Sequence, residues 1–350
     1  MRIAQVTPLY EAVPPRLYGG TERVVAHLTD ALVALGHDVT LFASAEARTN
    51  ATLAAVRDQA IRLDPAPLKS DLAAHLHQLA EVRRRAAEFD VIHFHTDMLQ
   101  FPMFEDLAGR TLTTLHGRLD LKDLPEVYRR WRQFPLVSIS DSQRAPLPGA
   151  NWAATVHHGM NTDLFRFRAV SQGYLAFLGR ISPEKRPDRA VAIAAAAGRQ
   201  LRVAAKVDNA DRAYFEDHIE PLMREPLVEY VGEIGDAEKS DFLGGADALL
   251  FPIDWPEPFG LVMIEAMACG TPVIAWPNGS VPEVVEDGLT GFIVRSEAEA
   301  VAAVARLPTL DRHAIRARFE ERFSALAMAR RYIEIYDRLP HAAEPLTEAA

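Results

Sequence analysis

Short apolar runs alternate with stretches of helical periodicity along this chain, and the alternation occurs twice. A chain written this way is committed to parallel sheets flanked by helices. Residues 3–6 form the first apolar run, and a loop rich in proline and glycine follows from 8 to 20. Thr21 then offers an N-cap to a helix whose apolar residues Val24, Val25, Leu28, Leu32 and Leu35 recur at helical spacing. Gly36 sits where a left-handed C-cap belongs, and residues 39–42 read as the next strand. Strands are predicted again at 90–94, 111–115 and 136–139, with a helix over 70–87. The second half repeats the pattern, with strands at 174–178, 201–205, 228–231, 248–253 and 272–275 and a helix over 188–197 closed by Gly198. A last helix, about 324–339, is apolar at Leu326, Met328, Tyr332, Ile335, Tyr336 and Leu339 and can cross back to the first half.

At 350 residues the chain is long enough for two such α/β domains. The change of composition near 167–173 divides it into 1–168 and 169–323, with the last helix returning to the first domain and a tail from 340 to 350. A single cysteine, Cys269, excludes an intramolecular disulfide and a cysteine-ligated zinc site. A net charge of −10 argues against general nucleic-acid affinity, which needs clustered positive charge. The first 165 residues carry 17 basic and 19 acidic residues, the rest 21 and 29, so the first half is the better candidate for an acidic ligand or a membrane face. No run of 18 apolar residues is present, so no transmembrane helix is expected. The first residues lack the apolar core and small-residue cleavage site of a signal peptide, and the expected compartment is the cytoplasm.

Three motifs in the second half carry chemistry. The first is Glu257-Pro258-Phe259-Gly260-Leu261-Val262-Met263-Ile264-Glu265, between a strand and an apolar helix ended by Gly270. Backbone N–H groups of Phe259, Gly260 and Leu261 at a helix start suit a phosphate or sugar oxygen, and Gly260 allows close approach. Glu257 precedes this anion site; Glu265 lies five residues further, about 7 Å along the helix axis. One carboxylate can bind sugar hydroxyls and the other ribose hydroxyls, or each can be a solvated surface acid. The second motif, Gly179-Arg180 through Lys185, follows a strand directly. It places two cations at the sheet edge where α/β proteins bind ligands and where a departing diphosphate needs compensation, or it is a solvated loop with Glu184 as partner. The third, Gly279-Ser280-Val281-Pro282-Glu283 with Gly288, is a turn that can meet a ligand through Gly279 and Ser280, with Glu283 capping the next helix; turn chemistry is the favoured role.

In the first half, Gly19-Gly20-Thr21-Glu22 is another glycine turn onto a helix start. His116 stands at the carboxyl end of a strand, able to bond a sugar hydroxyl or to serve as a structural histidine, with Arg118 and Asp120 after it. His93 and His95 alternate along a strand and share a face, with Asp97 next.

The block EPFGLVMIEAMACGTP, residues 257–272, together with Gly179-Arg180 and Lys185 and the 280–291 turn, resembles the retaining glycosyltransferases of family 4 (glycosyl transferase group 1). The likeness extends over nearly the whole chain. It implies the GT-B fold: two Rossmann-like domains whose parallel sheets face a central cleft, the acceptor side at 1–168 and the nucleotide-sugar side at 169–323. It implies donor binding by Gly19, Gly20, Gly179, Arg180, Lys185, Glu257, Phe259, Gly260, Leu261 and Glu265. It carries a catalytic role onto His116, with Arg180 and Lys185 stabilising the leaving diphosphate and Glu257 orienting the sugar. It sets aside a metal at His93, His95 and Asp97, and the absence of any Asp-x-Asp agrees with a metal-free diphosphate site.

Where relatives carry Gly-x-Gly this chain has Lys206-Val207-Asp208, so Lys206 is a third cation near the diphosphate or a surface lysine, and Asp208 a candidate for the nucleoside. His157-His158-Gly159 stands where relatives often have Asn-Gly.

The expected reaction moves a sugar, with retention and without metal or other cofactor, from a nucleotide-diphosphate sugar to a hydroxyl acceptor. UDP-sugar is the favoured donor, and a small molecule, glycan or lipid-linked sugar the acceptor. The rivals are a sugar phosphorylase or nucleotide-sugar epimerase on the same fold, and a nucleotide-sugar-binding module without turnover. Peripheral membrane contact, if any, is expected at Arg83-Arg84-Arg85 or Arg129-Arg130-Trp131-Arg132, both read primarily as solvated helix faces.

Overall fold

The computed structural model describes residues 1–16 and 19–340. From the N-terminus the elements are β1 (Arg2–Val6), α1 (Gly20–Ala34), β2 (Asp38–Ser44), β3 (Thr52–Arg57), α2 (Asp71–Arg84), β4 (Val91–Phe94), β5 (Thr111–Thr114), α3 (Leu124–Arg130), β6 (Leu136–Ser138), α4 (Asp141–Arg144) and β7 (Trp152–Thr155). They continue with β8 (Tyr174–Arg180), α5 (Pro187–Ala196), β9 (Gln200–Lys206), α6 (Arg212–Tyr214), β10 (Val228–Gly232), α7 (Asp236–Gly245), β11 (Ala246–Phe251), α8 (Leu261–Ala268) and β12 (Val273–Ala275). The last are α9 (Val281–Val284), β13 (Gly291–Ile293), α10 (Glu297–Arg306), α11 (Arg312–Phe323) and α12 (Ala325–Tyr336).

The strands form two sheets, ordered β3-β2-β1-β4-β5-β6-β7 and β10-β9-β8-β11-β12-β13. Every pairing is parallel. Both are Rossmann-like: the first strand lies inside its sheet, and the strand order reverses beside it. Helices cover both faces of such a sheet, so its inner strands read as unbroken apolar runs. Ile3, Ala4 and Val6 of β1 are fully buried, as are Leu175 and Ala176 of β8. One core gathers Val6, Phe42, Phe94, Phe101 and Leu136; another gathers Leu175, Leu201, Leu250, Ile274 and Phe292.

The chain divides into two compact units. One comprises 1–139 and 144–159 and resumes at 325; the other comprises 140–143 and 160–324. The change at 159/160 comes earlier than the expected 168/169. Residues 160–168 belong with the second unit because Met160 bridges to Ser324, Arg316 donates to the carbonyls of Thr162 and Phe165, and Arg168 N–H donates to the Cys269 carbonyl. The final helical stretch is broken at Ser324, whose backbone is extended. α12 is part of the first unit, packed on α1. The expected tail lies outside the described residues beyond Pro340.

Thr21 is not the N-cap of α1. Gly19 is, and the helix already begins at Gly20. The pocket left by Pro15 admits no side chain at that cap, since a Cβ on Gly19 would lie 2.7 Å from Pro15 Cβ. Gly36 follows α1 at φ +86°, the left-handed stop expected for it. Ser70 caps α2, its Oγ accepting from Ala73 N–H at 3.2 Å.

Candidate functional site

Open parallel sheets bind ligands at the carboxyl ends of their strands, beside the point where strand order reverses. In the second unit that point is the β8/β11 pair. β8 runs into the turn Pro183–Lys185, and β11 into the loop before α8. A backbone bond from Asp254 N–H to the Glu184 carbonyl, 2.8 Å, ties the two loops together. Lys185 Nζ pairs with Glu257 Oε2 and lies 4.9 Å from the Trp255 ring centroid and 5.7 Å from that of Phe251. The Trp255 indole N–H donates to the same carboxylate oxygen at 3.1 Å. Glu257 is therefore a buried acid clamped by an ammonium and an indole, not a solvated one.

Arg180 is ringed by acids. It donates to Glu184 Oε1 at 2.9 Å and lies 3.6 Å from Asp208 and 3.9 Å from Asp211. Lys206 stands in register with Arg180 across β8 and β9, and its Nζ is 3.1 Å from Asp208 Oδ1. Asp208 thus bridges two cations. Gly179 precedes Arg180 in β8, with open space where a Cβ would project.

Gly260 is the N-cap of α8 at φ +77°. A Cβ there would meet Met263 Cε at 2.9 Å, Phe251 Cζ at 3.1 Å and Glu257 Cγ at 3.3 Å, so both backbone and packing demand glycine. Leu261 opens the helix, and in its first turn Met263 N–H donates to the Gly260 carbonyl at 3.0 Å. Phe259 is core: its ring packs 6.2 Å from that of Phe323, and its carbonyl accepts from Ser280 Oγ at 2.7 Å. Glu265 is 4% exposed and accepts from Lys239 Nζ of α7 at 3.2 Å. Neither Lys239 nor Trp255 was legible beforehand, since nothing local marks a lysine in a polar helix or a tryptophan before a proline as a carboxylate partner.

The 279–283 turn supports this loop. Ser280 N–H donates to the Glu257 carbonyl at 2.9 Å, and a Cβ on Gly279 would lie 2.3 Å from Glu257 N and O. Glu283 does not cap the following helix, as expected for it. Its carboxylate accepts from Asp141 N–H and Ser142 N–H at 2.7 and 2.8 Å, and so caps the start of α4.

In the first unit, Gly19 and Gly20 open α1, and Glu22 behind them is buried, which pushes its carboxyl pKa up. Arg118 and Asp120 pair with each other at 2.7 Å in the loop after β5. His116 leads off that loop, stacked on His158 at 5.2 Å between centroids. Its Nε2 lies 2.8 Å from His95 Nδ1. His95 Nε2 reaches Gln5 Oε1 at 2.9 Å, while the two nitrogens of His93 reach Tyr336 Oη at 2.7 Å and Thr114 Oγ1 at 2.8 Å. His93 and His95 thus share a sheet face, with their ring nitrogens committed to protein partners. Among the described residues no group of three or more His, Cys, Asp or Glu side chains is arranged to hold a metal.

Burial lowers all four imidazole pKa values, His116 to about 3 and His93, His95 and His158 well below the ordinary value. The unfolded chain takes up protons on these groups below about pH 6.5, where the native chain does not, so stability is full above that pH and falls below it. Each histidine that stays neutral contributes a loss of about 1.4 kcal/mol per pH unit. The melting temperature should therefore drop between about pH 6.5 and pH 5, before most carboxylates titrate. Calorimetric scans at half-unit intervals check it; a flat profile across that window would contradict the buried-histidine account.

The arginine runs are engaged locally. Arg84 pairs with Glu81, Arg85 with Glu88, Arg83 with Asp106 and Arg129 with Glu126. Among the described residues no helix is long and apolar enough to cross a membrane.

Comparison with known proteins follows the same outline. Residues 18–212 match the family model "Glycosyltransferase Family 4", and residues 165–322 match "Glycosyl transferases group 1". The chain is 27% identical over 348 residues to a phosphatidyl-myo-inositol mannosyltransferase of Mycobacterium leprae, covering 91% of this chain and 90% of that protein. It is 34% identical over 174 residues to a D-inositol 3-phosphate glycosyltransferase of Streptomyces scabiei, covering 43% of this chain and only 39% of that protein. Among solved structures, AviGT4, a glycosyltransferase involved in avilamycin A biosynthesis, superposes with a TM-score of 0.74 at 26% identity, covering 97% of each chain. A sucrose-phosphate synthase from Thermosynechococcus elongatus shares the fold with a TM-score of 0.75 at 21% identity, over 97% of this chain and 98% of that one. With two Rossmann-like parallel sheets, a GT-B architecture and a family model spanning more than half its length, the chain belongs to glycosyltransferase family 4.

Proposed function

We propose that this glycosyltransferase moves a sugar from a nucleotide-diphosphate sugar, UDP-sugar by preference, to a hydroxyl acceptor with retention and without a metal. The observation that carries the reading is the clamp at the reversal point of the second sheet. Lys185, Glu257 and Gly260 are contiguous there, Arg180 stands at the end of the same strand, and Glu265 lies further along α8.

In this reading Arg180 and Lys185 exchange their carboxylates for diphosphate oxygens and stabilise the leaving group as fixed cations, with Lys206 adding charge beside Arg180. Amides at the start of α8, at Phe259, Gly260 and Leu261, face the same anion. Glu257 orients the sugar and Glu265 the ribose, while Gly19, Gly20 and Gly179 let ligand approach backbone. His116 bonds a sugar hydroxyl. The acceptor oxygen bonds to the anomeric carbon on the face that the diphosphate leaves, the carbon–oxygen bond to the diphosphate breaks, and the acceptor proton passes to a diphosphate oxygen. No cofactor beyond the donor takes part. The name of the Mycobacterium leprae relative makes inositol lipids the first acceptors to test. The enzyme is proposed to work in the cytoplasm.

Thermal shift with UDP, GDP and ADP, each with magnesium and with chelator, tests the donor site. A nucleotide at a hundredfold excess over its Kd adds about 2.7 kcal/mol of stability. UDP is expected to raise the melting temperature equally with and without chelator, and Glu265→Ala to abolish the rise. No shift with any nucleotide would sink the reading. Release of nucleotide diphosphate that depends on an alcohol acceptor then separates transfer from phosphorolysis, epimerisation and binding without turnover.

A further inference from the structure

A polar chain runs through the buried face of the first sheet, and it is longer than a single sugar contact requires. It starts on α12. Tyr336 Oη lies 3.1 Å from Gln5 Nε2 and 2.7 Å from His93 Nδ1. The other end of the Gln5 amide, Oε1, is 2.9 Å from His95 Nε2. His95 Nδ1 is 2.8 Å from His116 Nε2. Gln5, His93 and Tyr336 are wholly buried, and His95 is nearly so.

Proton positions follow from what each atom can do. An amide oxygen only accepts, so His95 donates to Gln5 through Nε2–H. Burial keeps His95 neutral, which leaves its Nδ1 with a lone pair and no proton. That lone pair accepts, so His116 donates through Nε2–H. His116 is neutral as well, so its Nδ1 carries a bare lone pair. Nδ1 of His116 is buried and makes no hydrogen bond among the described residues. A buried acceptor without a donor is costly, and a hydroxyl group satisfies it. At the far end, the Gln5 amide donates to the Tyr336 hydroxyl. That hydroxyl donates to His93 Nδ1, His93 donates through Nε2–H to Thr114 Oγ1 at 2.8 Å, and Thr114 meets Tyr332 Oη at 2.9 Å.

We propose that Gln5 and His95 are positioning residues for the transfer reaction: they hold His116 as its Nε2–H tautomer, so that Nδ1 accepts a hydrogen bond from a substrate hydroxyl. Tyr336 sets the amide orientation that starts the chain. The substrate half of this inference rests on the glycosyl-transfer reading; the tautomer half does not.

Long-range nitrogen–proton spectra of the full chain labelled with 15N-histidine report each imidazole's tautomer directly. His95 and His116 are both expected as Nε2–H near neutral pH. A proton on Nδ1 of His116 would overturn the assignment. Gln5→Met keeps the side-chain volume and removes the amide. It is expected to mix the tautomers of His95 and His116 and to lower kcat about 10- to 100-fold, the scale seen when an orienting partner is lost, with KM within about twofold. Unchanged kcat in folded Gln5→Met would overturn the positioning role. Tyr336→Phe is the second variant, expected to shift both readouts in the same direction by less, and it decides the question if Gln5→Met does not fold. If the wild-type chain turns over no nucleotide sugar, the spectrum still decides the tautomer, and the failure belongs to the functional reading alone.

Discussion

Lys185→Ala is expected to lower kcat/KM by about 10²- to 10³-fold, the cost of removing one preorganised group that stabilises developing charge. Three observations set the size. The ammonium lies where β8 delivers its chain to the sheet's carboxyl edge, its side chain 19% exposed and its Nζ on Glu257. Trp255 and Phe251 hold it from the side, which fixes its position without a second acid. In the proposed reading, alanine removes the ammonium that would meet a diphosphate oxygen from this turn. The fold loses less, because Glu257 keeps its bond from the Trp255 indole and the loop keeps its backbone tie through Asp254. Taking the ammonium from a largely buried pair, with the cation–ring contact, is expected to cost about 2–3 kcal/mol. Steady-state kinetics beside thermal melting separate the two effects. Near-normal turnover would defeat the diphosphate assignment, whereas a collapse of melting temperature matching the loss of activity would make Lys185 structural.

Gly279→Ala should be strongly damaging to the second unit and to its site. The residue sits at φ +61°, where a side chain is strained, and its Cβ would lie 2.3 Å from Glu257 N and O and 2.7 Å from the Pro256 carbonyl carbon. Strain and overpacking together are expected to cost about 3 kcal/mol or more. Because the displaced backbone is that of Glu257, activity should fall further than stability predicts. Gly288→Ala is the control. Its φ of +77° carries the same conformational penalty, but nothing lies within 4 Å of the added methyl, so about 1–2 kcal/mol is expected. Equal melting temperatures for the two variants would show that the contact with Glu257 is dispensable.

The inner strands were legible because burial on both faces writes them as apolar runs, as in β1 and β8. The strands missed were marginal ones. β3 is a half-exposed edge with two alanines, β7 is another exposed edge, and β13 is three residues long. The need for glycine at 260 was legible, since a left-handed N-cap admits little else. The partners were not. Lys239 is 26 residues from Glu265, and Gln5 is 90 from His95; such pairs exist only once the sheet brings their strands and helices together. Glu283 misled because a glutamate in a short helix caps locally by default, and here it reaches back to residues 141 and 142.

The first unit does not end where its sheet ends. It recruits α12 from beyond residue 324, after the whole second unit has been spelled out. On the ribosome the second unit is therefore complete first, although it is encoded later. The first sheet must wait, with Gln5, His93 and Thr114 lacking the two tyrosines that will meet them, until the last helix emerges from the exit tunnel. Stalled nascent chains in which 325–336 has cleared the tunnel should be more protease-resistant at the first sheet than chains in which that segment is still inside, with no difference at the second.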